Sequence, residues 1–210
     1  MHRFFLLLIM PIIIIILAAI YTYKINRTKP SSHVDAASIA ASTELQRLKK
    51  YGDKIKTFIK RKNLNNNFCF LADMQLPSES NRFFVYDLKN DSVIQSGLVA
   101  HGYGRNNHSG ISFSNMPGSN YTSLGKYKIG NAYNGRFGLA YKLYGLDSTN
   151  SNAFNRFVVL HSHGCVPATA ISLQRICMSQ GCPTVSTVFL NLLKKHLDET
   201  RQPVLLYIFY

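Results

Sequence analysis

Residues 157–183 read FVVLHSHGCVPATAISLQRICMSQGCP and hold three of the four cysteines of the chain. The run Phe157–Leu160 is apolar and contains two β-branched valines, which predicts a buried strand ending at His161. Cys182 follows 21 residues after that histidine. A thiol attacks a carbonyl as a thiolate, so it needs an imidazole to take its proton and amides to stabilise the oxyanion. The stretch predicts Cys182 as nucleophile, His161 as base, and the Gly181 and Cys182 amides as oxyanion donors, since glycine lets the backbone approach a substrate closely.

The order of motifs from about Phe83 to Tyr210 resembles the murein L,D-transpeptidase catalytic-domain family, a branch of the YkuD-type cysteine transpeptidases that cross-link peptidoglycan. Besides the His161-Ser162 pair and Ser179-Gln180-Gly181-Cys182-Pro183, the matching blocks are Val99-Ala100-His101-Gly102, Phe113-Ser114-Asn115, Gly118-Ser119, Ser123-Leu124-Gly125, Tyr144-Gly145-Leu146, Asn150, Arg156 and Pro203-Val204-Leu205-Leu206-Tyr207. Several blocks in the expected order are far more specific than Ser-x-Gly-Cys alone. The resemblance implies a mixed, mainly β fold: a YkuD-like β-sandwich with a short helix near the active site.

The resemblance also implies that the main-chain carbonyl of Ser162 orients the imidazole of His161. The candidate substrate-binding residues are His101, Ser114, Asn115, Arg156 and Ser179. His101 and the polar loop 112–119 follow a predicted strand, which suits either the wall of a cleft or an ordered surface loop. Arg156 suits a peptide carboxylate or a structural ion pair. Ser179 suits a bond to the imidazole or a turn.

A competing motif, Ser162-His163-Gly164-Cys165, copies the Ser-His-Gly-Cys signature of the broader L,D-transpeptidase group. That interpretation needs a base histidine on a strand upstream, and residues 109–160 contain no histidine. Cys182 has its histidine and Cys165 does not, so we favour Cys182. Cys165 remains the rival nucleophile, and His163 remains the second choice of base or a residue of the pocket wall.

Zinc is the alternative from a different chemical class. Five zinc-type ligands lie within 22 residues: His161, His163, Cys165, Cys177 and Cys182. Their spacing fits neither Cys-x-x-Cys nor His-Glu-x-x-His, and residues 148–197 contain no Asp or Glu. The favoured cysteine mechanism needs no metal and no cofactor.

The remaining cysteines bear on the compartment. In an oxidising compartment Cys69, Cys165 and Cys177 could form one disulfide while Cys182 stays free. A bond between Cys165 and Cys177 is one possibility, and buried unpaired thiols are the slightly favoured interpretation.

The N-terminal region predicts export. Residues 4–20 are almost wholly apolar and uncharged. They are long enough to cross a bilayer, and no clear Ala-x-Ala cleavage site follows, so we favour an uncleaved membrane anchor over a cleaved signal. The basic residues around this segment mildly favour the wrong orientation. The implied murein substrate overrides this and places the catalytic domain outside the cytoplasm, in the cell envelope or periplasm.

The formal net charge is +14, and residues 1–62 hold 12 of the 24 Lys and Arg but 3 of the 10 acidic residues. A basic balance often indicates nucleic-acid binding, but an exported chain rarely meets nucleic acid. Anionic lipid or wall polymer is the expected partner of the basic segment.

Three segments are predicted: an anchor and linker at 1–30, a basic helical stalk at 31–66, and a catalytic domain at 67–210. Apolar spacing predicts a helix over Glu44–Lys62, which Gly52 breaks, packed on the domain or lying on a membrane surface. Strand candidates are Phe83–Tyr86 and Val93–Ala100 as a hairpin, Lys126–Ile129, Leu139–Leu143, Phe157–Leu160 and Val204–Tyr210. A second helix is expected over Thr187–Leu197, capped by Ser186, with Val188, Leu192 and Leu193 on its apolar face and its dipole stabilising a Cys182 thiolate.

We therefore expect an envelope cysteine acyltransferase that acts on peptidoglycan stem peptides, by resemblance an L,D-transpeptidase. The first alternative is an L,D-carboxypeptidase or endopeptidase that uses the same site with water as acceptor. The second is a wall-binding protein that keeps the fold without turnover.

Overall fold

The computed structural model describes residues 17–21, 24, 36–104, 111–170 and 176–210, without the side chains of residues 36–39. The chain divides into two compact units, Met1–Thr43 and Glu44–Tyr210. Within the described parts of the chain, no helix has the length and apolar character to span a membrane. The predicted anchor at 4–20 lies outside the described residues except for Leu17–Ile20.

Two α-helices, nine strands and one short 3-10 turn, Ser148–Asn150, build the described structure from residue 36 onward. The helices are α1 (Ala36–Arg61) and α2 (Thr187–Asp198). The strands are β1 (Phe68–Asp73), β2 (Phe83–Asp87), β3 (Ser92–Gly97), β4 (Val99–Ala100), β5 (Gly125–Gly135), β6 (Gly138–Gly145), β7 (Val159–Ser162), β8 (Thr184–Val185) and β9 (Leu205–Phe209). The mainly β fold is thereby confirmed.

The strands form one sheet in the order β3-β2-β1-β9-β5-β6-β7-β8-β4. β3 and β4 lie at its opposite edges, although only Leu98 separates them along the chain. The sheet must therefore curl so that its two edges meet, which produces a barrel- or sandwich-like body. Arg82, at the start of β2, reinforces this closure because its guanidinium donates from Nε and Nη2 to the Val99 carbonyl at 3.1 and 2.9 Å.

The two faces of the sheet have separate cores, as the period of two along a strand requires. Phe70 and Ala72 of β1 point into the main core, where Phe189, Leu190 and Leu193 of α2 also pack. The intervening residues of β1 point outward into a second core formed with α1.

α1 contributes Leu48, Ile55 and Ile59 to this second core, where all three are fully buried. The helix packed on the domain is thus the correct alternative, because the residues that a membrane-surface helix would insert into lipid are covered by the sheet. The second compact unit accordingly starts at Glu44, inside the segment predicted as a separate stalk.

Gly52 does not break α1, contrary to the prediction. A Cβ at this position would lie 2.7 Å from the ring of Tyr86, so glycine lets the helix approach the sheet. That contact outweighs the cost of about 1 kcal/mol that glycine carries inside a helix.

β2 and β3 form the predicted hairpin, but the predicted strand Val93–Ala100 divides at Leu98 into β3 and β4. The other predicted strands are present with shifted ends, and β1 and β8 were not predicted. β7 starts at Val159 because Phe157 has φ 55° and is 84% exposed.

Ser186 caps α2 by accepting a hydrogen bond from the Phe189 amide at 3.1 Å, as predicted. Of the predicted apolar face, Leu193 is buried and Leu192 packs against the main core, whereas Val188 was placed on it wrongly. Val188 is exposed, whereas Phe189, Leu190 and Leu193 are buried.

Candidate active site

The parallel pairing of β7 with β8 brings the two predicted catalytic residues together. His161 is in register with Thr184, so Cys182, two residues earlier, comes beside Val159, two residues before His161. The Val159 amide donates to Cys182 Sγ at 3.5 Å. Because residues two apart point to the same face of a strand, His161 and Cys182 share one face.

The ring of His161 is held from both nitrogens. Nδ1 lies 3.1 Å from the main-chain oxygen of Ser162, as the resemblance implied, and Nε2 lies 3.1 Å from Thr184 Oγ1. A carbonyl oxygen can only accept, so Nδ1 carries the proton and the lone pair of Nε2 faces Thr184 Oγ1. Burial lowers the pKa of His161 and the neighbouring His163 lowers it further, against the opposing effect of the Ser162 carbonyl. His161 is therefore a neutral base near pH 7.

Cys182 is a free, half-buried thiol. Its Sγ lies 3.8 Å from the Phe157 carbonyl, to which the thiol proton is directed. Burial raises the pKa of Cys182, and the Val159 amide and the Arg156 charge only partly offset this. The dipole of α2 was expected to lower the pKa of Cys182. This lowering does not prevail, because β8 separates Cys182 from the first turn of α2. The resting pair is thus a thiol and a neutral imidazole, and the two are not hydrogen-bonded to each other.

A tight turn presents Cys182. Ser179 Oγ accepts from the Gly181 amide at 3.1 Å and donates to the Cys182 carbonyl at 2.6 Å. Gly181 has φ 108°, and a Cβ there would lie 2.8 Å from the carbonyl oxygen of Tyr121. Ser179 is therefore the serine of the turn, and it does not contact the imidazole. In this conformation the Gly181 amide already donates to Ser179 Oγ. Of the two predicted oxyanion donors, the Cys182 amide therefore remains.

Arg156 holds the neighbouring loop through main-chain oxygens and makes no ion pair within the described structure. Its guanidinium donates to the main-chain oxygens of Ser114 at 2.8 Å and Tyr121 at 2.6 Å. The hydroxyls of Ser119 and Ser123 complete its partners at 3.4 Å. This cation supports the loop packed against Gly181 and lowers the pKa of Cys182.

Ser114 and Asn115 are also committed to the loop. Asn115 Nδ2 donates to the Ser148 carbonyl and to Ser151 Oγ, both at 3.0 Å, and its Oδ1 accepts from the Asn152 amide. Ser114 Oγ accepts from the Met116 amide at 3.1 Å. Asn115 thereby joins the loop to the 3-10 turn, and the substrate-binding role of both residues stays a prediction.

His101 supports the Cys182 turn from below. Its main-chain oxygen accepts from the Ser179 amide at 2.8 Å. Its Nδ1 accepts from Nη2 of Arg82, a fully buried arginine, at 2.8 Å. Burial, followed by the charge of Arg82, lowers the pKa of His101 to about 4. The side chain is not part of the described lining of the cleft, and a contact of His101 with substrate stays a prediction.

A cleft of about 410 Å³ opens at the two predicted catalytic residues. Its described lining residues are Ala100, Tyr103, Arg136, Phe137, His161, His163, Cys165, Cys177, Met178, Ser179, Gln180, Cys182 and Thr184. Phe137 forms one wall: its ring stacks on His161 at 5.4 Å between centroids and meets His163 edge-on at 5.1 Å. The sequence did not single out Phe137 or Thr184, because each comes close to His161 only through the pairing of strands.

Cys165 and Cys177 form a disulfide with an S–S distance of 2.10 Å. The favoured expectation of unpaired thiols is therefore wrong for this pair, while Cys69 is a free buried thiol as expected. The bond also removes the thiol that the rival nucleophile required. His163 Nδ1 lies 2.8 Å from Cys165 Sγ, so His163 belongs to the disulfide side of the cleft.

The disulfide also takes two of the five candidate zinc ligands. Among the described residues, no group of three or more His, Cys, Asp or Glu side chains is arranged to hold a metal ion.

A protein-family model described as the L,D-transpeptidase catalytic domain matches residues 40–209. No curated protein sequence gives a significant match. Similar solved structures include the Ldtfm–avibactam carbamoyl enzyme, with 11% identity, a TM-score of 0.41, and coverage of 69% of this chain and 49% of that one.

Two further structures resemble the chain at the same level. The helical cell shape determining protein Pgp2 from Campylobacter jejuni has 12% identity and a TM-score of 0.41, with 67% of this chain and 46% of that one covered. The L,D-transpeptidase (residues 123–326) from Xylanimonas cellulosilytica DSM 15894 has 12% identity and a TM-score of 0.41, with 68% and 60% covered. The chain spans about half the length of the first two.

Proposed function

The chain belongs to the L,D-transpeptidase catalytic domain family, and we propose that it is a cysteine acyltransferase acting on peptidoglycan stem peptides. One observation carries this proposal: the free thiol of Cys182, in the turn before β8, and the neutral, Nδ1-protonated ring of His161, on the paired strand β7, lie in a single cleft. A neutral imidazole beside a protonated thiol is the starting state of a general-base mechanism.

In the proposed reaction, His161 Nε2 takes the proton of Cys182 and Sγ attacks the carbonyl carbon of the L-centre at the third stem residue. The Cys182 amide stabilises the oxyanion. When the tetrahedral intermediate collapses, the C–N bond breaks and the leaving D-amino acid takes the proton from His161. A thioester on Cys182 remains. An amine of a second stem then attacks it, and the thiol and the neutral imidazole are restored.

This sequence requires a local rearrangement. In the unliganded structure Sγ faces the Val159 amide and the Phe157 carbonyl, while Nε2 faces Thr184 Oγ1. Catalytic hydrogen bonds are often made only when substrate binds. The proposal therefore requires Sγ and Nε2 to come within hydrogen-bond distance in the complex.

Two other outcomes use the same cleft. If water resolves the thioester, the protein is an L,D-carboxypeptidase or endopeptidase. If no thioester forms, it is a wall-binding protein that has kept the fold.

The proposed location is the cell envelope. Peptidoglycan lies outside the cytoplasm, and the Cys165–Cys177 disulfide suits an oxidising compartment. We also propose that residues 4–20 anchor the chain in the membrane. Extraction of the full-length protein by detergent, but not by high salt, supports the anchor, whereas recovery in the salt wash contradicts it.

Mass spectrometry of muropeptides tests the function. The full-length protein, kept free of reductant, is incubated with stem tetrapeptides beside the Cys182→Ala variant. Cross-linked or exchanged products that are absent with the variant support the transpeptidase, and trimmed tripeptides alone indicate hydrolysis. Unchanged muropeptides with the wild type would contradict the proposal.

A further inference from the structure

The cleft has an uneven charge. Its described lining includes one permanently charged side chain, the guanidinium of Arg136, and no carboxylate. His161, its deepest titratable wall group, is neutral near pH 7 because burial lowers its pKa. A ligand that enters the cleft therefore meets one fixed positive charge, and this favours an anionic group on the ligand.

Arg136 differs from Arg82 and Arg156 because no hydrogen-bond acceptor among the described residues occupies its donors. The guanidiniums of Arg82 and Arg156 donate hydrogen bonds to main-chain carbonyls. Arg136 is exposed, and its Cζ lies over the ring of Phe137, 5.5 Å from the ring centroid. A guanidinium that stacks on an aromatic ring keeps its edge free for bidentate hydrogen bonds to a carboxylate.

The sheet fixes the place of this guanidinium. Gly135 pairs with Gly138, so Arg136 and Phe137 form a two-residue turn at the tip of the β5–β6 hairpin. Gly138, directly after the turn, has φ 84°, a conformation that glycine adopts without strain. Phe137 stacks on the ring of His161 and so ties the tip to the catalytic base. Arg136 is therefore held on the side of the cleft where the base lies.

The chemistry of the proposed reaction puts a carboxylate on that same side. His161 must return its proton to the leaving amine, so that nitrogen lies at the imidazole. In a terminal amino acid the carboxylate is two bonds from this nitrogen, through a single Cα, at roughly 2.5 Å. A donor that ends one residue after the scissile bond thus carries its anion past the base toward the hairpin tip.

We propose that Arg136 binds the terminal carboxylate of the donor peptide and thereby selects stems that end one residue beyond the bond to be broken. This inference rests on the proposed function and deepens it. Arg136 is the specificity-determining carboxylate receptor that the sequence had suggested at Arg156.

The test compares two donors with the full-length protein: a stem tetrapeptide with a free terminal carboxylate, and the same peptide with a terminal carboxamide. We expect the wild type to have a kcat/KM for the acid that is roughly ten- to a hundred-fold higher than for the amide. In Arg136→Gln this ratio should fall toward one. The matched control is Arg201→Gln, which removes an exposed arginine outside the cleft and should keep the wild-type ratio.

A binding measurement separates this inference from the function. Calorimetric titration of Cys182→Ala, with and without Arg136→Gln, compares the affinities for the acid and the amide without turnover. A preference for the acid that Arg136→Gln abolishes supports the carboxylate receptor even if the wild type proves inactive, in which case the proposed function fails alone. An acid preference that survives Arg136→Gln, or no preference in the parent, overturns the inference.

Discussion

Two turns of this chain have the same letters, Ser-x-Gly-Cys, and opposite chemistry. In the first turn, Cys165 is joined to Cys177. In the second turn, Cys182 stays a thiol, and its neighbour β8 is paired with the strand that carries His161. The comparison teaches that the motif alone does not decide the state of its cysteine: one is in a disulfide, and the other is a free thiol beside the strand that carries His161.

The largest expected effect on activity comes from replacing the cysteine of each of the two turns. Cys182→Ala should reduce product formation by at least about 10³-fold, because no other described thiol faces the base. The double variant Cys165→Ala/Cys177→Ala keeps the nucleophile and should retain a substantial part of the activity. Rates of muropeptide conversion by both variants give the answer. If the double variant is as inactive as Cys182→Ala, the two turns are not chemically distinct.

The next effect concerns the two histidines. His161→Gln should lower kcat/KM by about 10²- to 10⁴-fold, the usual value of a general base, whereas His163→Gln should cost far less. The pKa of His161 lies below its ordinary value of 6.5. The wild-type pH profile of kcat/KM should therefore fall only below pH 6.5, as His161 becomes protonated, and His161→Gln should lose this acid limb. An unchanged limb in His161→Gln would assign the base elsewhere.

The stability of the first turn should depend on its disulfide. The bond between Cys165 and Cys177 closes a short loop, so the double alanine variant should lose about 2 to 3 kcal/mol of unfolding free energy. Urea denaturation without reductant measures this, and addition of reductant to the wild type should reproduce it. Cys182→Ala, the control, should change stability much less. Equal losses in both variants would contradict a structural role confined to the disulfide.

The smallest effect tests the support beneath the second turn. The pKa of His101 is about 4 in the folded state, against an ordinary value of 6.5. The folded protein thus binds this proton less readily than the unfolded chain, and stability is lost as pH falls from 6.5 toward 4. Because His101 is partly exposed, the loss should be about 1 to 2 kcal/mol after allowance for solvent screening.

The comparison for this prediction is the slope of unfolding free energy against pH. His101→Asn should have a shallower slope than the wild type between pH 6.5 and 4, whatever its absolute stability. Parallel slopes would show that His101 takes up its proton equally in both states.

The sequence was sufficient where one local pattern decided the outcome. Ser186 caps α2 as predicted, because capping depends on residues three apart. The β2–β3 hairpin also follows from local turn residues and alternation. On α2, Leu192 and Leu193 were assigned correctly to the apolar face but Val188 was not, because burial depends on which side of the helix meets the sheet.

The site was predictable in its chemistry but not in its supporting contacts. Cys182 and His161 were predicted as site residues from residue type and order, and Ser162 was predicted from the family resemblance. Arg156 was assigned to substrate because a sequence does not show that main-chain carbonyls occupy a guanidinium. Arg136 was missed because its place beside the base depends on Phe137 stacking across strands.

The central claim is that Cys182, and not Cys165, carries the acyl group. Incubation of the full-length protein with donor tetrapeptide alone, acid quenching, and peptide mapping by mass spectrometry without reductant tests this most directly. We predict an adduct equal to the donor minus its terminal residue on the peptide containing Cys182, with the Cys165–Cys177 bond intact. An adduct on Cys165, or product formation without any adduct on Cys182 under single-turnover conditions, would contradict the account.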